Sequence, residues 1–144
     1  MDVRAAVPDE VEAVLAAYQW LFDPPGSQPP MWDAERAAER LAAAIDDENA
    51  EVLVAGGIAG FCTVYYDFDS VRFGRRAWVE DLAVDPQQRS LGIGKALLDA
   101  AKDWAREHGA SHLELDSAEV RTDAHRFYER EEPSWRSVSF GWVL

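Results

Sequence analysis

Basic residues are scarce in this chain. Fourteen Lys and Arg stand against 27 Asp and Glu, a formal net charge of −13. Nucleic acids and anionic membranes are held by basic surface, so neither is an expected partner. Cysteine is scarcer still. Cys62 stands alone, which excludes an intramolecular disulfide and a cysteine metal cluster and suits a reducing, cytoplasmic setting. It lies in apolar sequence and reads as buried filler rather than a nucleophile. The histidines, His108, His112 and His125, have no metal-ligand spacing, so no metal is expected. Serines are few, and nothing suggests a Ser–His–Asp arrangement. Long hydrophobic runs are missing too. The longest uncharged stretch, 52–66, is broken by glycines and too short to cross a bilayer, so it reads as strands. Met1–Ala6 carries Asp2 and Arg4 and lacks the apolar core of a secretion signal.

What is present suits one domain spanning 1–144. Hydrophobic residues make up 48% and aromatics 11% of the 144 positions, enough for a single core and too little chain for two. The charge is uneven. Residues 1–51 hold 12 acids and 3 bases, a balance of −9, whereas 52–144 hold 15 acids and 11 bases, a balance of −4. Solubility alone accounts for a surplus of this sign. The functional reading is that the N-terminal part faces a cationic substrate.

Val3–Ala6 reads as a short strand. Pro8 then opens a helix, with Val11, Val14, Leu15, Tyr18 and Phe22 at helical spacing. Residues 23–30 hold four prolines and a glycine and read as a loop. Asp33 is placed to cap a second helix through Ile45. Glu51–Ala55, Gly56-Gly57 and Ile58–Tyr66 read as a tight hairpin. A polar loop at 67–74 precedes a strand at Arg76–Val84, which Asp85-Pro86 ends. Gly92–Glu107 is an amphipathic helix stopped by Gly109. Leu113–Asp116 is a short strand, Thr122 or Asp123 is placed to cap a last helix, and Trp135–Leu144 is rich in strand formers. The order is β-α-α-β-β-β-α-β-α-β(β), a mixed α/β (α+β) fold.

The sharpest local feature is the segment from Val84 to Lys95, which joins the strand to the long helix. Glycines there allow close backbone approach to a ligand, and free N–H groups with the helix dipole favour an anion. Arg89 and Lys95 add positive charge. Two familiar phosphate motifs fail: the dinucleotide fingerprint needs glycine where Leu97 stands, and the P-loop needs glycine at Arg89 and Ser or Thr at Ala96. What remains is Arg89-x-x-Gly92-x-Gly94.

That pattern resembles the Q/R-x-x-G-x-G/A motif of the GCN5-related N-acetyltransferases (GNAT), with the likeness strongest from Trp78 to Leu98. The resemblance implies a twisted, mixed, mostly antiparallel sheet of 6–7 strands with about four helices. It implies acetyl-CoA as co-substrate, its pyrophosphate cradled by Arg89, Ser90, Leu91, Gly92, Ile93, Gly94 and Lys95. Leu82, Ala83 and Val84 would meet the pantetheine arm and the acetyl carbonyl through their backbone. Family habit also suggests a homodimer paired through the C-terminus.

Trp78-Val79-Glu80-Asp81-Leu82-Ala83-Val84 sets two acids in an apolar strand. By period-2 alternation Glu80 shares a face with Trp78, Leu82 and Val84, and Asp81 the other with Val79 and Ala83. Carboxylates in such surroundings are pushed towards the pKa of a useful base. The segment resembles the family's E-D-L-x-V strand, which implies Glu80 as the group that deprotonates the acceptor ammonium, directly or through water. Substrate binding, or pairing with Arg76 or Arg126, are the alternatives. Asp81 reads as a structural acceptor for nearby loop N–H groups. In Ala124-x-x-Phe127-Tyr128 the aromatic spacing alone suggests core. Its likeness to the family's A-x-x-F-Y helix implies Tyr128 as the acid or sulfur-positioning group, with Phe127 in the core and His125 outside. Two departures stand out: Arg121-Thr122-Asp123 replaces the family's frequent Asn, and Glu131–Trp135 replaces its Gly-Phe.

The first two helices and their loop would line the acceptor side, with Trp20, Phe22 and Trp32 as walls. The expectation is acetyl transfer to a small cationic primary amine. Acetylation of a protein amino terminus or lysine, and a non-catalytic acyl-CoA-binding module, are the alternatives.

Overall fold

The computed structural model describes residues 1–144. Five strands form one sheet in sequence order: β1 (Val3–Ala5), β2 (Ala50–Ala55), β3 (Gly60–Ser70), β4 (Gly74–Val84) and β5 (His112–Glu114). The first three pairings are antiparallel, and β4–β5 is parallel. The helices are α1 (Val11–Ala17), α2 (Gln19–Phe22), α3 (Ala34–Asp46), α4 (Ile93–Glu107) and α5 (Thr122–Arg130). Helix α2 continues α1 after Tyr18, so the two fill the place of one expected helix.

The sheet is covered on both faces, which is why β2 and β3 read as nearly unbroken apolar runs. Helix α4 lays Ile93, Leu97, Ala101, Trp104 and Ala105 on one face, against Leu53, Cys62, Val64, Ala77 and Val79. Helices α1 and α3 bring Val14, Ala17 and Leu41 to the other face, against Val52, Val54, Phe61 and Ala83. Asp33 caps α3 as expected, its side chain accepting from the Arg36 N–H at 3.1 Å. Gly109, at φ 74°, follows the end of α4 in the left-handed conformation its position requires.

Several local expectations change. The Gly56-Gly57 turn is wider than a two-residue hairpin, with β3 starting only at Gly60. The predicted polar loop at 67–74 is mostly strand, because β3 and β4 pair out to Ser70 and Gly74. Helix α5 has Arg121 at its N-cap with no side-chain cap, so neither Thr122 nor Asp123 fills that role. The sheet has five strands rather than 6–7, and no helix or strand forms after Arg130. Strand formers need a partner ladder. Strand β5 pairs over only three residues, and Pro133 removes a donor from the returning chain. Trp135 and Trp142 remain exposed.

Candidate active site

Strands β4 and β5 part early. Their parallel ladder covers only Arg76–Trp78 against His112–Glu114, so the edge of β4 from Val79 to Val84 has no partner strand. On its other edge β4 carries a bulge. Thr63 faces Asp81 and Val64 faces Val79, leaving Glu80 as the extra residue. The bulge breaks the period-2 assignment made from sequence. Ala77 and Val79 face α4 before it, and Leu82 and Val84 do so after it. Trp78 lies opposite Tyr65, and Asp81 opposite Thr63. Tyr65 and Thr63 share the strand face of Phe61, the side of α1 and α3. Both acids therefore point to the α1 side.

Their surroundings differ. Glu80 is exposed, and its Oε2 accepts from Trp78 Nε1 at 3.0 Å and Tyr65 Oη at 3.2 Å. It pairs with neither Arg76, which holds Asp67, nor Arg126, which holds Asp123. Asp81 is the enclosed carboxylate. Its Oδ2 accepts from Tyr18 Oη at 2.7 Å and, more weakly, from Thr63 Oγ1 at 3.4 Å, while its own N–H donates to Thr63 Oγ1 at 3.0 Å. Its partners are hydroxyls rather than the expected loop N–H groups. Burial raises the Asp81 pKa above the usual carboxylate value, against the lowering effect of the Tyr18 hydrogen bond. Tyr18 in turn packs tilted against Phe61 at 4.7 Å and lies 6.0 Å from Trp32, whose ring meets Phe22 edge-on at 4.8 Å. Phe22 and Trp32 also line a pocket of about 280 Å³ with Glu12 and Gln28. Trp20 does not line it and packs against the core instead.

At the C-terminal end of β4 the chain makes a single turn at Pro86–Gln88 before α4. Gly92 is the N-cap, at φ 81°, and no side chain caps the helix. The first N–H groups of α4 are thus left without a side-chain acceptor. A Cβ at Gly92 would meet nothing within 4 Å, so conformation rather than space requires glycine there. Ser90 is also left-handed, at φ 65°. Arg89, Ser90 and Leu91 are exposed, and Ile93 is buried in the core. Lys95 is held by Asp99 at 3.1 Å and Glu131 at 3.2 Å, so its charge is already shared. Gly94 has a packing role: a Cβ there would lie 3.4 Å from Phe127 Cζ, where α5 crosses the start of α4.

Tyr128 lies beside Phe127, ring centroids 5.1 Å apart. Burial pushes its phenol up to about 12, with Cys62 adding to the rise and Arg121 opposing it. Tyr128 therefore stays protonated at neutral pH. A coenzyme thiol resembles a cysteine thiol, at about 8.5, so full proton transfer from Tyr128 would run uphill by several units. Its O–H suits hydrogen-bond donation to a leaving thiolate. A cavity of about 1120 Å³ runs along the outer edge of β5 and touches Tyr128 and His125 but neither acid nor the glycine loop.

The acetyltransferase (GNAT) family model matches residues 11–131. The chain belongs to the GNAT family. Among curated GNAT relatives, the uncharacterized N-acetyltransferase YhfO of Bacillus subtilis is 35% identical over 101 residues, covering 68% of each chain. A streptothricin acetyltransferase of Streptomyces lavendulae is 37% identical over 89 residues, 59% of this chain and 45% of the relative. The chain spans 42–68% of the length of these and another B. subtilis relative. In fold it matches the structure of AAC(6')-Iy with a bisubstrate analog, CoA-S-monomethyl-acetylneamine, at TM-score 0.79 and 16% identity, covering 99% and 98% of the two chains.

Within this GNAT fold α5 packs Phe127 against Gly94 at the start of α4, and the β4 edge beyond Trp78 has no partner strand. The residues that sequence reasoning missed are Tyr18, Thr63 and Tyr65. Tyr18 was visible only as a core position on α1, and the two strand residues carry no motif. Cys62 is fully buried and its thiol pushed up by burial, consistent with filler. Phe127 is half-buried against Gly94, and His125 is half-buried along the β5 cavity rather than outside.

Proposed function

We propose that the protein transfers the acetyl group of acetyl-CoA directly to a primary amine, and that the amine is small and cationic. The observation that carries this reading is the bulge at Glu80. It turns Glu80 and Asp81 to the same face of a strand whose outer edge is unpaired, and that strand leads into the uncapped start of α4. An ammonium group finds two carboxylates there, beside the aromatic wall of Tyr18, Phe22 and Trp32. The streptothricin relative and the CoA–neamine complex of a structural neighbour support an amine acceptor and a CoA donor.

In this mechanism Arg89–Lys95 hold the pyrophosphate, and the backbone of Leu82, Ala83 and Val84 holds the pantetheine arm. Asp81, fixed by Tyr18 and Thr63, holds the acceptor ammonium. Exposed Glu80 accepts its proton, directly or through water, and passes it to solvent. The neutral nitrogen attacks the thioester carbonyl. Backbone N–H groups on the free edge of β4 stabilise the oxyanion. As the intermediate collapses, the nitrogen gives up its second proton through Glu80 or water, and the C–S bond breaks with the electron pair on sulfur. Tyr128 donates a hydrogen bond to the departing thiolate, which takes a proton from solvent to leave as the free thiol. Holding both substrates together converts a bimolecular encounter into an oriented one.

A thermal melt with acetyl-CoA, followed by a thiol-release assay, tests the reading. Ligand at about 100 times its Kd adds roughly 2.7 kcal/mol, on the order of several degrees for a chain this size. No rise at millimolar acetyl-CoA overturns the coenzyme site. A rise without thiol release from neamine, spermidine, lysine or an N-terminal peptide indicates a binding module. Preference for the peptide, or for neutral amines, overturns the small-cation assignment.

A further inference from the structure

The segment between α2 and α3, residues 23–33, carries Trp32 and borders the acceptor side, yet one of its ties comes from far along the chain. Arg121, at the N-cap of α5, donates from Nη2 to the Leu21 carbonyl at 2.9 Å, across 100 residues. Leu21 sits in the last turn of α2, where carbonyls lack intrahelical partners. The loop folds tightly over this bond. Gly26 donates to the Asp23 carbonyl at 2.8 Å, and a Cβ on Gly26 would lie 2.0 Å from Leu21 O and 2.7 Å from Arg121 Nη2. Only a residue without a side chain fits over the contact. From the same position the Arg121 charge works against the burial that raises the pKa of both Asp81 and Tyr128.

We propose that Arg121 is a positioning residue that latches the acceptor loop 23–33 to the start of α5, holding the acceptor wall in register with Tyr128. Arg121 touches neither substrate in this scheme. It acts through the Leu21 carbonyl and the loop closed over it. A long, forked cation suits the task because a guanidinium spans the gap and keeps a donor on the carbonyl without needing a carboxylate partner. The inference rests on the acetyl-transfer reading for its consequence, but the latch itself is testable without substrate.

Amide hydrogen exchange is compared for wild type, R121Q, R121K and G26A, alongside thermal melts and the KM values for acetyl-CoA and neamine. In R121Q, exchange in residues 23–33 is expected to rise at least tenfold while α4 and β3 stay within twofold. G26A should match it, because the new Cβ pushes the loop away with Arg121 intact. R121K should recover most of the protection. The neamine KM should rise at least fivefold in R121Q with the acetyl-CoA KM within twofold. Loop exchange within twofold of wild type in R121Q overturns the latch. A rise that spreads into α4, or equal rises in both KM values, shows a general structural role and overturns the positioning assignment. If wild type turns over no amine, the proposed function fails while the exchange comparison still decides the latch.

Discussion

Replacing Tyr18 by Phe tests the acid site at its most enclosed point. The ring would keep its contacts with Phe61 and Trp32, and the change removes one oxygen, the donor that meets Asp81 Oδ2 at 2.7 Å. A hydrogen bond to a charged group is worth about 1.5–3 kcal/mol and one between neutral groups about 0.5–1.5 kcal/mol. At roughly 2–4 °C per kcal/mol for a chain near 150 residues, Y18F should lower Tm by about 3–12 °C when Asp81 is ionised. In a D81N background the same change should cost only about 1–6 °C, and the difference is the coupling between the pair. The pH dependence has a defined sign. The folded pKa of Asp81 is raised, so between about 3.9, the unfolded value, and that folded pKa the native state binds more protons. Stability from this group therefore falls as pH rises through that window. Losing the Tyr18 donor raises the folded pKa further and extends the fall, so the Y18F penalty should be larger at pH 8.5 than on the acid side. Calorimetry of the four proteins of the cycle at both pH values measures this. A Y18F loss of equal size in the D81N background, or one that does not grow with pH, refutes the assignment of Tyr18 as the group holding the Asp81 carboxylate.

Three further outcomes are expected. Y128F should lower kcat about tenfold or more with the acetyl-CoA KM within twofold, and because the phenol lies near 12 no limb of the wild-type pH–rate profile below pH 10 should disappear with it; steady-state kinetics across pH checks both. G92A should weaken acetyl-CoA binding about tenfold, read by calorimetry, while costing only about 1–2 kcal/mol of stability, the strain of a left-handed non-glycine residue in open space. G60A should cost at least about 2 kcal/mol in a denaturant melt, since its Cβ would sit 2.8 Å from Ile93 Cγ2 and 3.0 Å from the Ala83 carbonyl in a packed core.

Most of the scaffold was legible because each element carries its own local signal. The spacing of Ile93, Leu97, Ala101 and Trp104 defines α4 before any partner is known, and Asp33 announces the start of α3. The glycine loop at 89–95 was legible for the same reason, since glycine pattern, strand and helix adjoin in sequence. The acid site was legible only in part. Glu80 and Asp81 stood out as acids in apolar sequence, but their common face depends on one unmatched residue in a ladder, which alternation cannot reveal. The Tyr18 bond crosses 63 residues and the Arg121 bond 100, and neither leaves a local trace. The C-terminus failed for the opposite reason. Its local preference was clear, but a strand is a property of two segments, and β5 offers a ladder of only three residues.

The bulge at Glu80 also sets stability and chemistry against each other. Deleting that one residue would close the Thr63/Val64 register shift and restore strict alternation along β4, leaving the shift at Asp67 as the remaining break in the β3–β4 ladder. The shortened protein would gain a more regular ladder and plausible packing, with Asp81 left as a lone carboxylate facing Tyr18. A search for sturdier variants that scored backbone regularity alone would therefore select against the acid pair. The proposed acetyl transfer supplies a reason for the chain to keep the irregularity.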